Sequence, residues 1–217
     1  MAHFEDATNE YSTVHSSKES EVLERLRRAT WLGTTKPQML SDPIQGRFLS
    51  MISALIKPKK ILEFGTFTGY STICLAEGLQ EDGSIDTLEI NDELEHIQDQ
   101  FWEEAGLKNV QRHIGHAHEI IASGVLEGPY DLIWIDADKE HQIDYVDFAI
   151  EHLNLGGCLL VDNVIWGGAV LDEEKLSKPT SGGSRIHRLN QHIKNHPQLE
   201  NVLIPVWDGI QVARKIS

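Results

Sequence analysis

The sequence predicts an α/β fold built on a mainly parallel seven-stranded sheet with helices on both faces, finished by a C-terminal antiparallel hairpin. Three observations carry this. From Lys60 onward, short apolar runs alternate with helical patterns. Two of those runs, Ile133-Trp134-Ile135 and Leu159-Leu160-Val161, are apolar throughout, as strands covered on both faces are. The last two runs, 202–206 and 210–213, are joined only by Trp207-Asp208-Gly209, too short a connection for a parallel crossover.

Taken in order, an amphipathic helix is expected over 16–32, with Val22, Leu23, Leu26 and Trp31 on its apolar side and Gly33 as its stop. A second follows Pro43 through Phe48, Ile52 and Leu55 and ends before Pro58. Strands at 61–64, 85–90, 110–114, 130–135 and 157–161 then alternate with helices at 69–79, 92–105, 117–123 and 141–153. Such alternation means right-handed crossovers and a sheet covered by helices on both sides. Helix 184–195 leads into the hairpin, and the Ser/Gly/Pro-rich stretch 176–184 reads as a mobile loop. With no internal repeat and no low-complexity linker, residues 1–217 are expected to form a single domain.

Composition narrows the function. Acidic residues outnumber basic ones 34 to 19, a formal charge of −15 that repels phosphate backbones, and no Lys/Arg block offsets it. Nucleic acid is therefore disfavoured as a partner. Residues Met1 through Glu10 lack the apolar core of a signal peptide, and no run approaches membrane-spanning length, so a soluble cytoplasmic chain is expected. Cys74 and Cys158 fall inside apolar elements and read as buried reduced thiols. His113, His116 and His118 straddle a strand end and a helix start, a spacing that reads as surface or capping histidines rather than ligands.

The chemistry lies where strands end. Ile133-Trp134-Ile135 runs into Asp136-Ala137-Asp138-Lys139, and Leu159-Leu160-Val161 runs into Asp162-Asn163. Ligands of open α/β sheets collect at the carboxyl ends of the strands, so Asp136, Asp162 and Asn163 are candidates for a hard-oxygen site suited to Mg²⁺ or Ca²⁺. Either segment alone would suit a helix cap or a solvated loop. Upstream, Ile61-Leu62-Glu63-Phe64-Gly65-Thr66-Phe67-Thr68-Gly69-Tyr70-Ser71 adds a strand, a glycine turn and a helix start. Its Glu-x-Gly-x-x-x-Gly spacing is similar to the first motif of S-adenosylmethionine (SAM) dependent methyltransferases, and it lacks the further glycines of a pyrophosphate turn. With the terminal hairpin, this favours a methyltransferase fold over a dinucleotide-binding one. Glu89 closes the next strand, where an acid can accept hydrogen bonds from both ribose hydroxyls. Glu63, inside an apolar strand, needs a partner such as an ammonium or a backbone N–H.

Assembled in order, PQMLSDPIQGRFLSMI, ILEFGTFTGYST, LIWIDADKEH, LLVDNVIWGGAV and the terminal VWDGIQVARK make the chain resemble the cation-dependent O-methyltransferases, the group of caffeoyl-CoA and catechol O-methyltransferases. The resemblance covers about residues 37–216 and implies a Rossmann-like class I methyltransferase fold. It implies that Asp136, Asp162 and Asn163 bind a divalent cation, Mg²⁺ or in its place Ca²⁺ or Mn²⁺. It implies that Glu63, Gly65, Thr66, Ser71, Glu89, Ala117 and Asp136 line the SAM pocket, with Met39 and Ser41 covering the cofactor. Lys139 would be the base that takes the acceptor proton, with Asp136 contributing to both sites. The acceptor implied is a small aromatic molecule with vicinal hydroxyls, the assembly a homodimer, and the helical segment 1–57 a cover over the cofactor and acceptor. His116, His141 and Gly167 depart from residues common in relatives and leave acceptor identity open. Trp166 and Trp207 are candidate walls for a flat ring, with core packing an equal alternative.

Overall fold

The computed structural model describes residues 2–217, with side chains from Thr8 onward. Two compact units partition the chain, residues 1–57, 66–79 and 92–108 in one and 58–65, 80–91 and 109–217 in the other.

The first unit is helical. It holds α1 (Ala2–Val14), α2 (Glu21–Gly33), α3 (Pro43–Ile56), α4 (Tyr70–Ala76) and α5 (Glu95–Glu104). Helix α2 begins five residues later than the sequence suggests, because the Ser20 hydroxyl accepts the Leu23 amide at 3.3 Å and caps it there. Glu19, left outside the helix, instead accepts the Arg27 guanidinium and the Tyr70 hydroxyl, each at 2.7 Å. Helix α3 starts as expected, with Pro43 in its first turn and the Asp42 carboxylate accepting the Gln45 amide at 2.8 Å. Helix α1 falls in the segment 1–57 that the resemblance implies to be helical, although its own sequence carries no regular apolar stripe.

The second unit contains the whole sheet: β1 (Lys60–Phe64), β2 (Ser84–Glu89), β3 (Val110–Ile114), β4 (Tyr130–Ile135), β5 (Leu153–Asp162), β6 (Leu199–Ile204) and β7 (Ile210–Lys215). Their order is β3-β2-β1-β4-β5-β7-β6, parallel except at the pairings of β7 with β5 and β6. The seven strands and the terminal hairpin are those the sequence predicts. Helices α6 (Ala117–Ser123), α7 (Gln142–His152), α8 (Glu173–Leu176) and α9 (Gly182–Asn195) belong to this unit. One core joins Leu62, Phe64, Ile133, Ile135, Leu159 and Val161 of the central strands to Ile120 of α6, Tyr145 and Ala149 of α7, and Ile186 and Leu189 of α9. The alternate strand positions, Ile61, Leu132, Trp134 and Leu160, are buried as well, which is why these runs lack a polar period.

The stretch 176–184 is not a loop throughout. Ser181 accepts the Ser184 amide at 3.1 Å and starts α9, so Gly182 and Gly183 are already helical. A Cβ at Gly182 would stand 2.4 Å from the Trp166 ring nitrogen and one at Gly183 2.5 Å from the Ala169 carbonyl, so both glycines serve close packing rather than freedom. Cys74 and Cys158 are free thiols, each pushed up to about 12 by burial, although Cys158 is only half-buried.

A buried polar knot joins β2, β3 and β4. Asp86 receives the Tyr130 hydroxyl at 3.1 Å and pairs with His113 Nε2 at 2.8 Å, so His113 is neither a surface nor a capping residue. Replacing Asp86 by Ala would strand two buried polar groups, a cost of about 2–4 kcal/mol. A thermal melt of Asp86→Ala is expected to fall by about 5–10 °C relative to the parent protein, and an unchanged melting temperature would remove Asp86 from the stabilising network.

Candidate active site

Strand register brings four of the proposed residues of the sheet unit into one row. Phe64 pairs with Leu88 on one side and Ile135 on the other, and Ile135 pairs with Val161. The next step along each strand is therefore Glu89, Gly65, Asp136 and Asp162, four neighbours spaced by about 4.8 Å per strand. Backbone bonds extend the ladder this far: the Gly65 amide donates to Leu88 O at 3.1 Å and the Asp136 amide to Phe64 O at 2.8 Å. This row lies at the carboxyl ends of β1 and β4, where the strand order reverses and α/β sheets bind their ligands.

Gly65 makes the row possible. Its φ is +95°, and a Cβ there would lie 2.1 Å from the Asp136 carbonyl oxygen. At the start of α4, Gly69 has φ +87° and lies so close to Trp102 that a Cβ would be 2.4 Å from the indole nitrogen.

Each predicted cofactor residue has a definite local setting. Glu63 is fully buried, and the Thr87 hydroxyl of the neighbouring strand donates to its Oε2 at 2.6 Å, an O–H donor beyond the ammonium or amide expected. Glu89 is buried, and its Oε1 accepts the Asn91 amide at 2.9 Å. Ala117 is the first residue of α6 and packs on the core of the sheet unit. In the helical unit, Thr66 and Ser71 are buried, Ser41 is half-buried, and Met39 ends a short 3₁₀ turn with its side chain exposed.

Of the proposed cation ligands, Asp162 is buried and its Oδ1 accepts the Asn163 amide at 2.7 Å. Asn163 itself has φ +58°, a left-handed conformation that asparagine tolerates better than most residues. The chain beyond it is pinned to the hairpin loop, the Val164 and Ile165 amides donating to Gly209 O and Asp208 O at 3.1 and 2.8 Å. Among the described residues, no group of three or more His, Cys, Asp or Glu side chains is arranged to hold a metal ion. Asp136, Asp162 and Asn163 make a different set, two carboxylates and an amide oxygen, which fits a hard cation that keeps water or substrate in its remaining positions.

Lys139 Nζ stands 3.4 Å from Asp136 Oδ1 and is mostly covered. Burial raises the Asp136 carboxyl above the usual carboxylate range, against the opposing pull of Lys139. The sequence reading missed Asp138. Its side chain is 49% exposed, so burial opposes its ionisation only in part, and hydrogen bonds from Tyr145, His141 and the His141 and Glu140 amides hold it below the usual range. His116 and His118 have rings 5.4 Å apart, and His118 stacks on His141 at 4.6 Å. Trp166 and Trp207 both adopt left-handed backbone, at φ +55° and +51°, and neither is buried in the core. Bulky residues held this way are strained, a pattern that clusters at functional sites.

The fold and this row define a class I methyltransferase architecture. Residues 13–216 match the O-methyltransferase family, and the chain belongs to it. It is 30% identical to caffeoyl-CoA O-methyltransferase from Stellaria longipes over 92% of this chain and 85% of that one. It is 29% identical to flavonoid 3',5'-methyltransferase from Vitis vinifera over 92% and 88% of the two chains. Among solved structures, the O-methyltransferase TomG from Streptomyces achromogenes, in complex with SAM, superposes with a TM-score of 0.88 at 27% identity, covering 97% of this chain and 96% of that one.

Gly65→Ala is expected to abolish SAM binding measured by calorimetry, because the new methyl group must displace the Asp136 carbonyl. Parent-like affinity in that variant would show that the β1 and β4 edges can separate without consequence.

Proposed function

We propose that this O-methyltransferase transfers the methyl group of SAM to one hydroxyl of a vicinal aromatic diol on a small molecule, assisted by a divalent cation. The observation that carries the reading is the register row of Glu89, Gly65, Asp136 and Asp162 at the switch point of the sheet. Support for SAM comes from the SAM complex of TomG, and support for a hydroxylated ring from the relatives named for caffeoyl-CoA and flavonoid methylation.

In this reading SAM, when bound, supplies an electrophilic methyl on a sulfonium. Glu89 would accept hydrogen bonds from the ribose hydroxyls, Gly65 would let the backbone approach, and Glu63 and Ala117 would stand beside them in the sheet unit, while Thr66, Ser71, Met39 and Ser41 of the helical unit are the further candidates for contact with SAM. Asp136, Asp162 and Asn163 would hold the cation, whose charge would favour the ionised form of an acceptor hydroxyl. Lys139, as the neutral amine, would take the acceptor proton at Nζ, and Trp166 and Trp207 would wall the flat ring. The residues thus orient a nucleophilic oxygen for in-line attack, which supplies much of the rate.

The test is SAM consumption with caffeic acid as acceptor, with and without a chelator. Activity is expected to disappear in chelator and return with Mg²⁺. Asp162→Ala is expected to remove turnover, and Lys139→Ala to reduce kcat by about 100-fold or more. Turnover that persists in chelator would end the cation-assisted reading. The same reading includes a homodimer, for which Met51 and Leu55, one turn apart and exposed on α3, offer an apolar face. Sedimentation is expected to give about twice the chain mass, shifted toward monomer by Met51→Glu/Leu55→Glu.

A further inference from the structure

We infer that Asp138 is a positioning residue for Lys139, acting with Tyr145 and His141; this rests on Lys139 being the base proposed above. The Asp138 carboxylate ties together both flanks of that lysine. Its Oδ1 accepts the backbone amides of Glu140 and His141, each at 3.1 Å, so the residue before Lys139 is bonded to the two peptides that follow it. His141 Nδ1 lies 3.0 Å from the same oxygen. Lys139 therefore sits in a turn closed by its neighbour's side chain, which fixes where its Cα and Cβ aim the ammonium stem.

Two further contacts reference this turn to the rest of the sheet unit. The Tyr145 hydroxyl donates to Asp138 Oδ2 at 2.5 Å, and the fully buried Tyr145 ring stacks on Phe64 with centroids 5.0 Å apart. Phe64 is the last residue of β1, immediately before Gly65. The carboxylate is thus held relative to the same strand end that the proposed cofactor row uses. On its other side the His141 ring stacks at 4.6 Å on His118, which follows Ala117. A lysine side chain has many rotamers, and a displacement of the reacting group by about 1 Å can cost on the order of 100-fold in rate. A carboxylate that closes the turn and is itself anchored at two points fixes the backbone from which those rotamers start, so the Cα–Cβ direction no longer adds to their spread.

A plain helix-capping role for Asp138 at the start of α7 would affect melting temperature but not kcat. The full-length protein with SAM, Mg²⁺ and caffeic acid separates the two. Asp138→Ala is expected to lower kcat about 10- to 100-fold while acceptor KM and calorimetric SAM affinity stay within about threefold. Asp138→Asn, which keeps an acceptor oxygen for the two amides, is expected to recover part of that loss. Tyr145→Phe keeps the ring stack and removes only the hydroxyl; it is expected to lower kcat several-fold, and to add nothing in the Asp138→Ala background because both act through one carboxylate. Should Asp138→Ala fail to fold, Tyr145→Phe carries the test alone. Amine acylation of Lys139, read by peptide mass mapping without substrate, is expected to quicken several-fold in the Asp138 and Tyr145 variants. Asp138→Ala and Tyr145→Phe with kcat within twofold of the parent, or losses confined to KM, would overturn the positioning role while an inactive Lys139→Ala left the base assignment standing. Full turnover in Lys139→Ala would overturn the base assignment and the positioning role with it.

Discussion

The contact on which the site depends is the one between the α-carbon of Gly65 and the carbonyl of Asp136. A side chain at residue 65 would need the space the carbonyl occupies, 2.1 Å from where a Cβ would lie. Without one, β1 and β4 remain paired to their last residues, and the loops after them leave the sheet at the same level. Asp162, a register step farther on β5, then falls beside Asp136, and Glu89 falls on the other side of Gly65. The arrangement of acids at this edge is a consequence of parallel register, set by a missing methyl group.

The buried acids of the sheet do different work. Within it, Asp86 satisfies His113 and Tyr130 with side chains alone, and burial together with the Asp86 carboxylate raises the Tyr130 phenol above its ordinary range. Nothing in that knot is poised to react. At the carboxyl ends Glu89 and Asp162 are buried too, but the backbone turns left-handed at Asn163 and Trp166, and Lys139 stands beside a carboxyl that burial has raised.

The strands and the terminal hairpin were legible because their signals are local: an apolar run for a strand buried on both faces, and a connection too short to cross over. The placement of Asp136, Asp162 and Asn163 at the carboxyl edge of the sheet was legible for the same reason, since they stand directly after such runs. What escaped the sequence depends on partners distant in the chain. Glu63 found a donor in Thr87, 24 positions away, and His113 found Asp86 across a strand pair, 27 positions away. Gly182 and Gly183 looked like a flexible stretch, yet Trp166 and Ala169 lie where their side chains would be. Asp138 was overlooked because Asp-Lys-Glu-His reads as a solvated charge run until Tyr145, one helical element later, closes on it.

Asn163 narrows what mutation can do at one codon. Its backbone sits at φ +58°, where β-branched and bulky residues are strained, while its proposed task requires an uncharged oxygen. Glycine would relieve the backbone and delete the oxygen; aspartate would keep an oxygen and crowd a third anion beside Asp136 and Asp162. Few substitutions satisfy both demands. The Gly167–Gly168 segment that follows has open space around both α-carbons, yet its backbone is left-handed as well, at φ +56° and +79°, so there conformation alone, and not crowding, sets glycine apart from larger residues.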